Sequence, residues 1–333
     1  MNGAGCGMRQ HTIRTPYLIG EVHCYSTEIR GELVLFDSGP PTEEAFASLA
    51  AQLDLSRLKY LFLTHCHIDH YGLAARLAER SDVRIFIPRA EARMMRRGAE
   101  GLDLLAGLLA EAGCTEEITR FIRGKMEREL HETNLEGRFE IVEESDVPAR
   151  LGIQWLACPG HSQSDLVYLC GDDAVTGDIL LRNIFQVPIL DVDSETFNGR
   201  FRNYDAYCES IRTLRRLRGC RIHPGHRWQI DGVDATVLLY AQNLLERAGK
   251  VKDIAPGRSI LDILRILFGD ISKNPFFIHM KASEIVFALD FLADPGRLKA
   301  SLEFLGLFEQ VRDRYFAVVE EACGGRQPRY CSA

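Results

Sequence analysis

The stretch Thr64-His65-Cys66-His67-Ile68-Asp69-His70 decides how this chain is read. It follows directly on the apolar run Leu61-Phe62-Leu63, so three imidazoles and a carboxylate sit in a loop at the end of a strand. His65 and His67, two apart in an extended loop, can both face one metal ion, while Asp69 and His70 can turn toward a second one nearby. A lone histidine is more often packed in a core or set on a surface. An array this dense is different, because each buried polar group left without a partner would cost ~1–3 kcal/mol. Metal binding is the reading that satisfies all four side chains.

Working outward, the flanking segments alternate between strand and helix. Pro16 to Cys24 and the run GELVLF (31–36) read as strands, the latter stopped by the turn Asp37-Ser38-Gly39-Pro40. Phe46, Leu49, Ala50 and Leu53 recur at helical spacing, Leu58 to Thr64 is a buried strand, His70 to Arg80 a helix and Val83 to Pro88 a short strand. From about Arg89 to Leu135 the pattern is helical throughout, which predicts an inserted group of helices placed as a lid. Strands resume at Arg138 to Glu143, Ile153 to Ala157, Leu166 to Cys170 and Ala174 to Thr176, with a helix over Tyr204 to Leu217. After about Asp234 the chain is mainly helical, with a last strand-like stretch at Tyr315 to Val319. The fold class is α+β. The expected organisation is a disordered N-terminus over 1–15, a catalytic domain over 16–235 carrying the insertion at about 89–135, and a smaller helical domain over 236–333.

Five ordered motifs carry a family resemblance: LVLFDSG (33–39), the array at 65–70, CPGHSQSD (158–165), TGDIL (176–180) and HPGHR (223–227). Together they resemble the metallo-β-lactamase superfamily of binuclear hydrolases over about Pro16 to Trp228. The resemblance implies a four-layer αββα sandwich. It places His65, His67 and His161 on a first metal, and Asp69, His70 and His226 on a second, with Asp178 bridging the two. Each of these residues also follows a strand-like run within a Gly-containing loop, so all can gather at one sheet edge.

Other residues have two readings. Asp37 matches a family aspartate that supports the site from behind the ligands, and it is equally a turn cap. His223 lies three residues before His226 and is a strand-end or supporting residue. Tyr71 either reaches the pocket with its hydroxyl or packs at a helix start, and His23 either contacts substrate at the rim or packs. Cys66 and Cys158 are not ligands. The resemblance also covers the C-terminal third more loosely: ILFGD (266–270), IHMKASEIVFALDFL (278–292) and GRLKASLEFLGLF (296–308) resemble a small winged-helix-like domain, with a plain helical bundle as the alternative.

The implied chemistry is hydrolysis by a metal-bridging hydroxide, with Asp69 and Asp178 fixing the metals and relaying a proton. Zinc suits the donor set best, and iron or manganese also fit. The expected substrate is a small molecule with an acyl bond, a thioester, ester or lactone. A phosphodiesterase or ribonuclease is the alternative, and a metal-binding signalling or redox protein the second alternative. The loop His161-Ser162-Gln163-Ser164-Asp165 departs from the Pro-Gly pair or second histidine found in many relatives, so substrate class is not legible there. A net charge of -7 opposes a uniformly basic nucleic-acid surface. No apolar leader or spanning stretch is visible, and the ten scattered cysteines, with no C-x-x-C pair, fit reduced thiols in a cytoplasm.

Overall fold

The structure is a computed structural model that describes residues 7–269 and 275–323. Six strands form the first sheet in sequential order: β1 (Arg9–Arg14), β2 (Glu21–Ile29), β3 (Glu32–Phe36), β4 (Leu58–Phe62), β5 (Arg84–Ile87) and β6 (Glu140–Ile141). The first three are antiparallel and the rest run parallel. The hairpin between β2 and β3 turns on Arg30 and Gly31, both at positive φ, which matches the right-handed twist of its strands. The second sheet holds β7 (Gln154–Ala157), β8 (Leu166–Cys170), β9 (Asp173–Gly177) and β10 (Arg221–Pro224), in the order β10-β9-β8-β7.

Strand alternation builds the layers. On β3, Val34 and Phe36 point between the sheets while Leu33 and Leu35 point outward; on β4, Phe62 points inward and Leu61 outward. Between the sheets, Phe62 stacks on Phe86 at 4.7 Å, and Tyr168 crosses from β8 to donate its hydroxyl to the Leu63 carbonyl at 2.7 Å. Outside the first sheet lie α1 (Glu43–Gln52), α2 (Ile68–Tyr71) and α3 (Ala74–Arg80), which bury Leu49 and Leu77. The insertion comprises α4 (Arg89–Arg97), α5 (Ala99–Glu111) and α6 (Glu116–Glu132), and α7 (Val147–Leu151) follows it. Outside the second sheet lie α8 (Asn203–Leu214) and α9 (Val233–Lys252), then α10 (Ile260–Phe268), α11 (Pro275–Ala293), α12 (Pro295–Leu305) and α13 (Arg312–Cys323). The result is an αββα sandwich with a mainly helical C-terminal domain, α9–α13.

Three expectations are corrected. Residues 9–14, inside the stretch expected to be disordered, pair with β2 along their whole length; the polar string RQHTIR conceals a strand because His11 turns inward onto Ser26 at 2.7 Å beside buried Ile13. Residues 1–6 of that stretch lie outside the described residues. Tyr315 to Val319 is helical within α13, because Tyr315 and Val318 bury one face at helical spacing and packing overrides their strand propensity. Among the described residues no strand follows β10, and the C-terminal domain is mainly helical there, as in the plain helical alternative.

The insertion is built into the fold. Leu105, Leu109 and Ile122 are buried in the same apolar cluster as residues of α9 and α11. Exposing three such side chains costs about 5–9 kcal/mol, comparable to a whole domain's stability. The helices α5 and α6 are therefore part of the main core. Among the described residues no helix is long and apolar enough to cross a membrane.

Candidate metal centre

Four loop regions at one end of the sandwich deliver the seven predicted ligands. The strand β4 runs on through Leu63 and Thr64 into the 65–70 array, where His67 caps the single turn α2 and places Asp69 and His70 within it. His161 sits on the β7–β8 loop, Asp178 directly after β9 and His226 two residues past β10. Small residues let these loops close up. A Cβ on Gly225 would lie 2.6 Å from both Asp178 Oδ1 and His70 Cε1, and one on Gly177, whose φ is +49°, would lie 2.5 Å from Thr64 Oγ1.

The side chains form three overlapping groups: His65, His67 and His161; His65, His70 and Asp178; and Asp69, His70 and His226. His67 Nδ1 lies 3.0 Å from His65 Nε2 and 2.9 Å from His161 Nε2. His226 Nε2 lies 3.2 Å from both His70 Nε2 and Asp69 Oδ2. Asp178 spans the groups, with Oδ1 3.3 Å from His70 Nε2 and Oδ2 3.5 Å from His226 Nε2 and 3.7 Å from His161 Nε2.

The outer hydrogen bonds fix the tautomers. His161 Nδ1 donates to the Val187 carbonyl at 2.6 Å, His226 Nδ1 to the Glu21 carbonyl at 2.7 Å and His70 Nδ1 to the Asp37 carboxylate at 2.9 Å. None of these acceptors can donate, so each Nδ1 carries a proton and each Nε2, once free of any proton of its own, presents its lone pair to the centre. Thr64 gives its hydroxyl proton to Asp37, so its oxygen accepts from His65 Nδ1 at 3.0 Å and leaves His65 Nε2 bare as well. Facing lone pairs at these distances need a proton or a cation between them. Asp178 Oδ1 is buried with no hydrogen-bond partner, and it is the atom a bridging cation would satisfy. The donor set fits two divalent ions, and zinc, iron or manganese all suit nitrogen with carboxylate oxygen.

The electrostatics divide the centre. Burial holds His65 well below the usual imidazole range, and burial with the neighbouring His161 brings His67 down to about 3. Burial also pulls on His70, but Asp178, Asp37 and Asp69 outweigh it and raise His70 well above its ordinary value. His226 is raised as well: burial lowers it, and Asp178 and Asp69 prevail. Burial alone would push Asp178 up, yet His226 and His70 hold it well below the carboxylate range. A cation in the second group would take the place of protons, whereas His65 and His67 of the first are held neutral by burial.

The remaining candidates separate clearly. Asp37 is a support, holding His70 and Thr64 while caught at the positive φ of its turn. His23 is committed to packing, with Nε2 on the Arg227 carbonyl at 2.6 Å and Nδ1 beside Thr12 and Gln10. Tyr71 is buried with its hydroxyl on Thr133, and His223 bonds Asp173 at 2.8 Å, away from the metal groups. Reading by motif missed Tyr17, whose hydroxyl is held above the usual phenol range by burial and by Glu129, Asp69 and Glu132. It also missed Glu91 and Asp165, and only the Asp at the end of CPGHSQSD gave any signal of that network. Leu18 and Trp228, on the two segments beside β2 and His226, leave large apolar surfaces exposed at 85% and 76%.

With fold and centre in view, the class is a metal-dependent hydrolase with a binuclear site, and the chain belongs to the metallo-beta-lactamase superfamily, whose family model matches residues 19–226. It is 27% identical over 300 residues to the probable metallo-hydrolase YqjP of Bacillus subtilis (strain 168), spanning 84% of this chain and 90% of that protein. Among solved structures it is similar to a metallo-beta-lactamase family protein from Thermus thermophilus, with a TM-score of 0.68 at 21% identity over 87% of this chain and 94% of the other. A beta-lactamase domain protein from Burkholderia ambifaria gives a TM-score of 0.67 at 19% identity over 87% of each chain.

Proposed function

We propose that this chain hydrolyses an acyl bond of a small molecule, a thioester, ester or lactone. In this reading His65, His67 and His161 hold one divalent cation, Asp69, His70 and His226 the other, and Asp178 lies between them. The observation that carries it is the buried Asp178 Oδ1, which makes no hydrogen bond, set among imidazole nitrogens that all turn toward the same centre. When bound, the cations supply an activated water at neutral pH and an electrophile for the substrate oxygen.

The residues of the chain do the rest. Asp69 accepts the proton of the attacking water at its carboxylate and returns it to the leaving group. The apolar flank of Leu18 and Trp228 favours a substrate with a hydrocarbon portion over a polyanion. The phosphodiester alternative drew on a winged-helix-like domain, and a mainly helical C-terminal domain with no strand among its described residues does not supply that support.

The test is turnover of the zinc-loaded protein on a panel of acyl thioesters, esters, lactones and an aryl phosphodiester. Acyl turnover that disappears in His67→Ala is expected. A preference for the phosphodiester, or equal rates in His67→Ala, overturns the reading.

A further inference from the structure

The first turn of α4 reaches beneath the metal centre. Glu91 is partly buried there, and its carboxyl touches both loops that deliver the first group of imidazoles. Ser164, three residues past His161, donates its hydroxyl to it at 2.6 Å, and the backbone N–H of Cys66, between His65 and His67, works against the rise that burial gives its carboxyl. One side chain thus spans two loops that are far apart in sequence. Toward the other half the insertion reaches through Thr133, which bonds the Tyr71 hydroxyl next to His70, while Asp69 and His226 are tied to one another and, through Nδ1 of His226, to β2.

The contact is the end of a longer chain. Ser164 bonds Ser162 at 2.9 Å and Ser162 bonds Asp165 at 2.8 Å, while the Ser162 N–H donates to the other oxygen of Asp165. The three oxygen–oxygen bonds from Glu91 to Asp165 need three protons, and two serine hydroxyls supply only two. The third rides on one of the two carboxyls. Burial raises both groups, Asp165 to about 6, so retaining that proton is easy. A neutral, closed chain holds the His161 loop against the His65–His67 loop at low cost, where two buried anions would repel.

We propose that Glu91 is a positioning residue for the first metal subsite, through which α4 of the helical insertion steadies the His65, His67 and His161 half of the centre. This rests on the binuclear reading above. It also gives the insertion a task beyond packing into the main core: it sets the spacing of three ligands.

The experiment is cobalt(II) titration of the metal-free protein, followed by its visible spectrum and by competition with a chelator, for the parent, Glu91→Ala, Glu91→Gln and Ser164→Ala. The parent is expected to bind two equivalents. Glu91→Ala weakens one equivalent by about 10–100-fold, the usual effect of losing a partner behind the ligands, and leaves the second as in the parent. Glu91→Gln keeps both, because its amide still accepts from Cys66 and permanently supplies the third proton to Ser164. Should Glu91→Ala fail to fold, Ser164→Ala, which removes the other end of the span, weakens the same equivalent. Parent-like binding in both truncations overturns the proposal, as does equal weakening of both equivalents. A parent that binds fewer than two equivalents overturns the binuclear reading itself.

Discussion

Asp37 holds His70 from behind at 2.9 Å, with both side chains shut off from solvent. The same carboxylate takes the N–H and hydroxyl of Thr64, and through Thr64 it also orients His65. One acidic group therefore fixes the tautomer of an imidazole in each half of the centre. Asp37→Asn keeps the shape and tolerates the positive φ, but its amide can present N–H to His70 Nδ1 and move the imidazole proton to the metal face. Zinc affinity falls by about 10–100-fold in this variant, measured by calorimetric titration. Affinity equal to the parent's would show that Asp37 is only a turn cap.

Gly225 is where the backbone closes over the centre. In Gly225→Ala the new methyl meets Asp178 Oδ1 and His70 Cε1, each at 2.6 Å, and neither side chain is free to retreat. Bound metal drops below one ion per chain by elemental analysis while the far-ultraviolet circular dichroism stays that of the parent. Two ions retained would mean that the cradle is looser than its geometry.

Metal loading displaces protons from the second half of the centre. His70 and His226 lie above their ordinary values in the metal-free chain, so they are protonated near neutrality, and a cation must expel those protons to bind. Affinity for the second ion falls as pH falls, and calorimetry in buffers of different ionisation enthalpy registers net proton release. A heat of binding independent of buffer contradicts this.

His11 makes the metal-free fold sensitive to acid. Burial, with Arg9 nearby, lowers its imidazole from 6.5 to about 4, so between those values the unfolded chain binds a proton that the folded chain refuses. The sign follows: this residue contributes no pH dependence above 6.5, and stability is lost as pH drops from 6.5 toward 4. His11→Gln, which keeps a bond to Ser26, flattens that limb in urea midpoints measured across the window. An unchanged slope would remove His11 as a source.

Leu109 tests whether the insertion is part of the main core. It is fully buried together with residues of α9 and α11, so Leu109→Ala lowers global stability by about 2–5 kcal/mol. Chemical unfolding followed by tryptophan fluorescence reports this as a shifted midpoint. A midpoint unmoved, with loss of protection confined to α5 and α6, would describe a separable lid instead.

Most of the centre is legible in the chain because ligands crowd together locally. His65 to His70 sit in one loop, and His161, Asp178 and His226 each carry a short motif around them. Asp37 is legible for the same reason, ending an apolar strand at a turn. Glu91 is not, because its meaning depends on Ser164, which lies 73 residues away, and nothing in the helix RAEARMMRR distinguishes it from a solvated acid. The strand at Arg9–Arg14 is hidden for a related reason: a polar sequence becomes a strand only when Glu21–Ile29 offers its edge and Ser26 receives His11.

The sequence by itself determined the alternation of strands and helices and the dense 65–70 array, and through its five motifs a resemblance that implied the layered sandwich and all seven inward-facing donors. Period-two apolar runs and dense ligand spacing are local properties, set by backbone geometry and by the penalty for unsatisfied polar groups. Only the tertiary structure decided which nitrogen of each imidazole faces the centre, that α5 and α6 pack into the main core, and that Glu91 of α4 meets Ser164 beside the His161 loop. Each of those depends on a partner brought close by the packing of distant segments, and separation along the chain carries no record of that closeness.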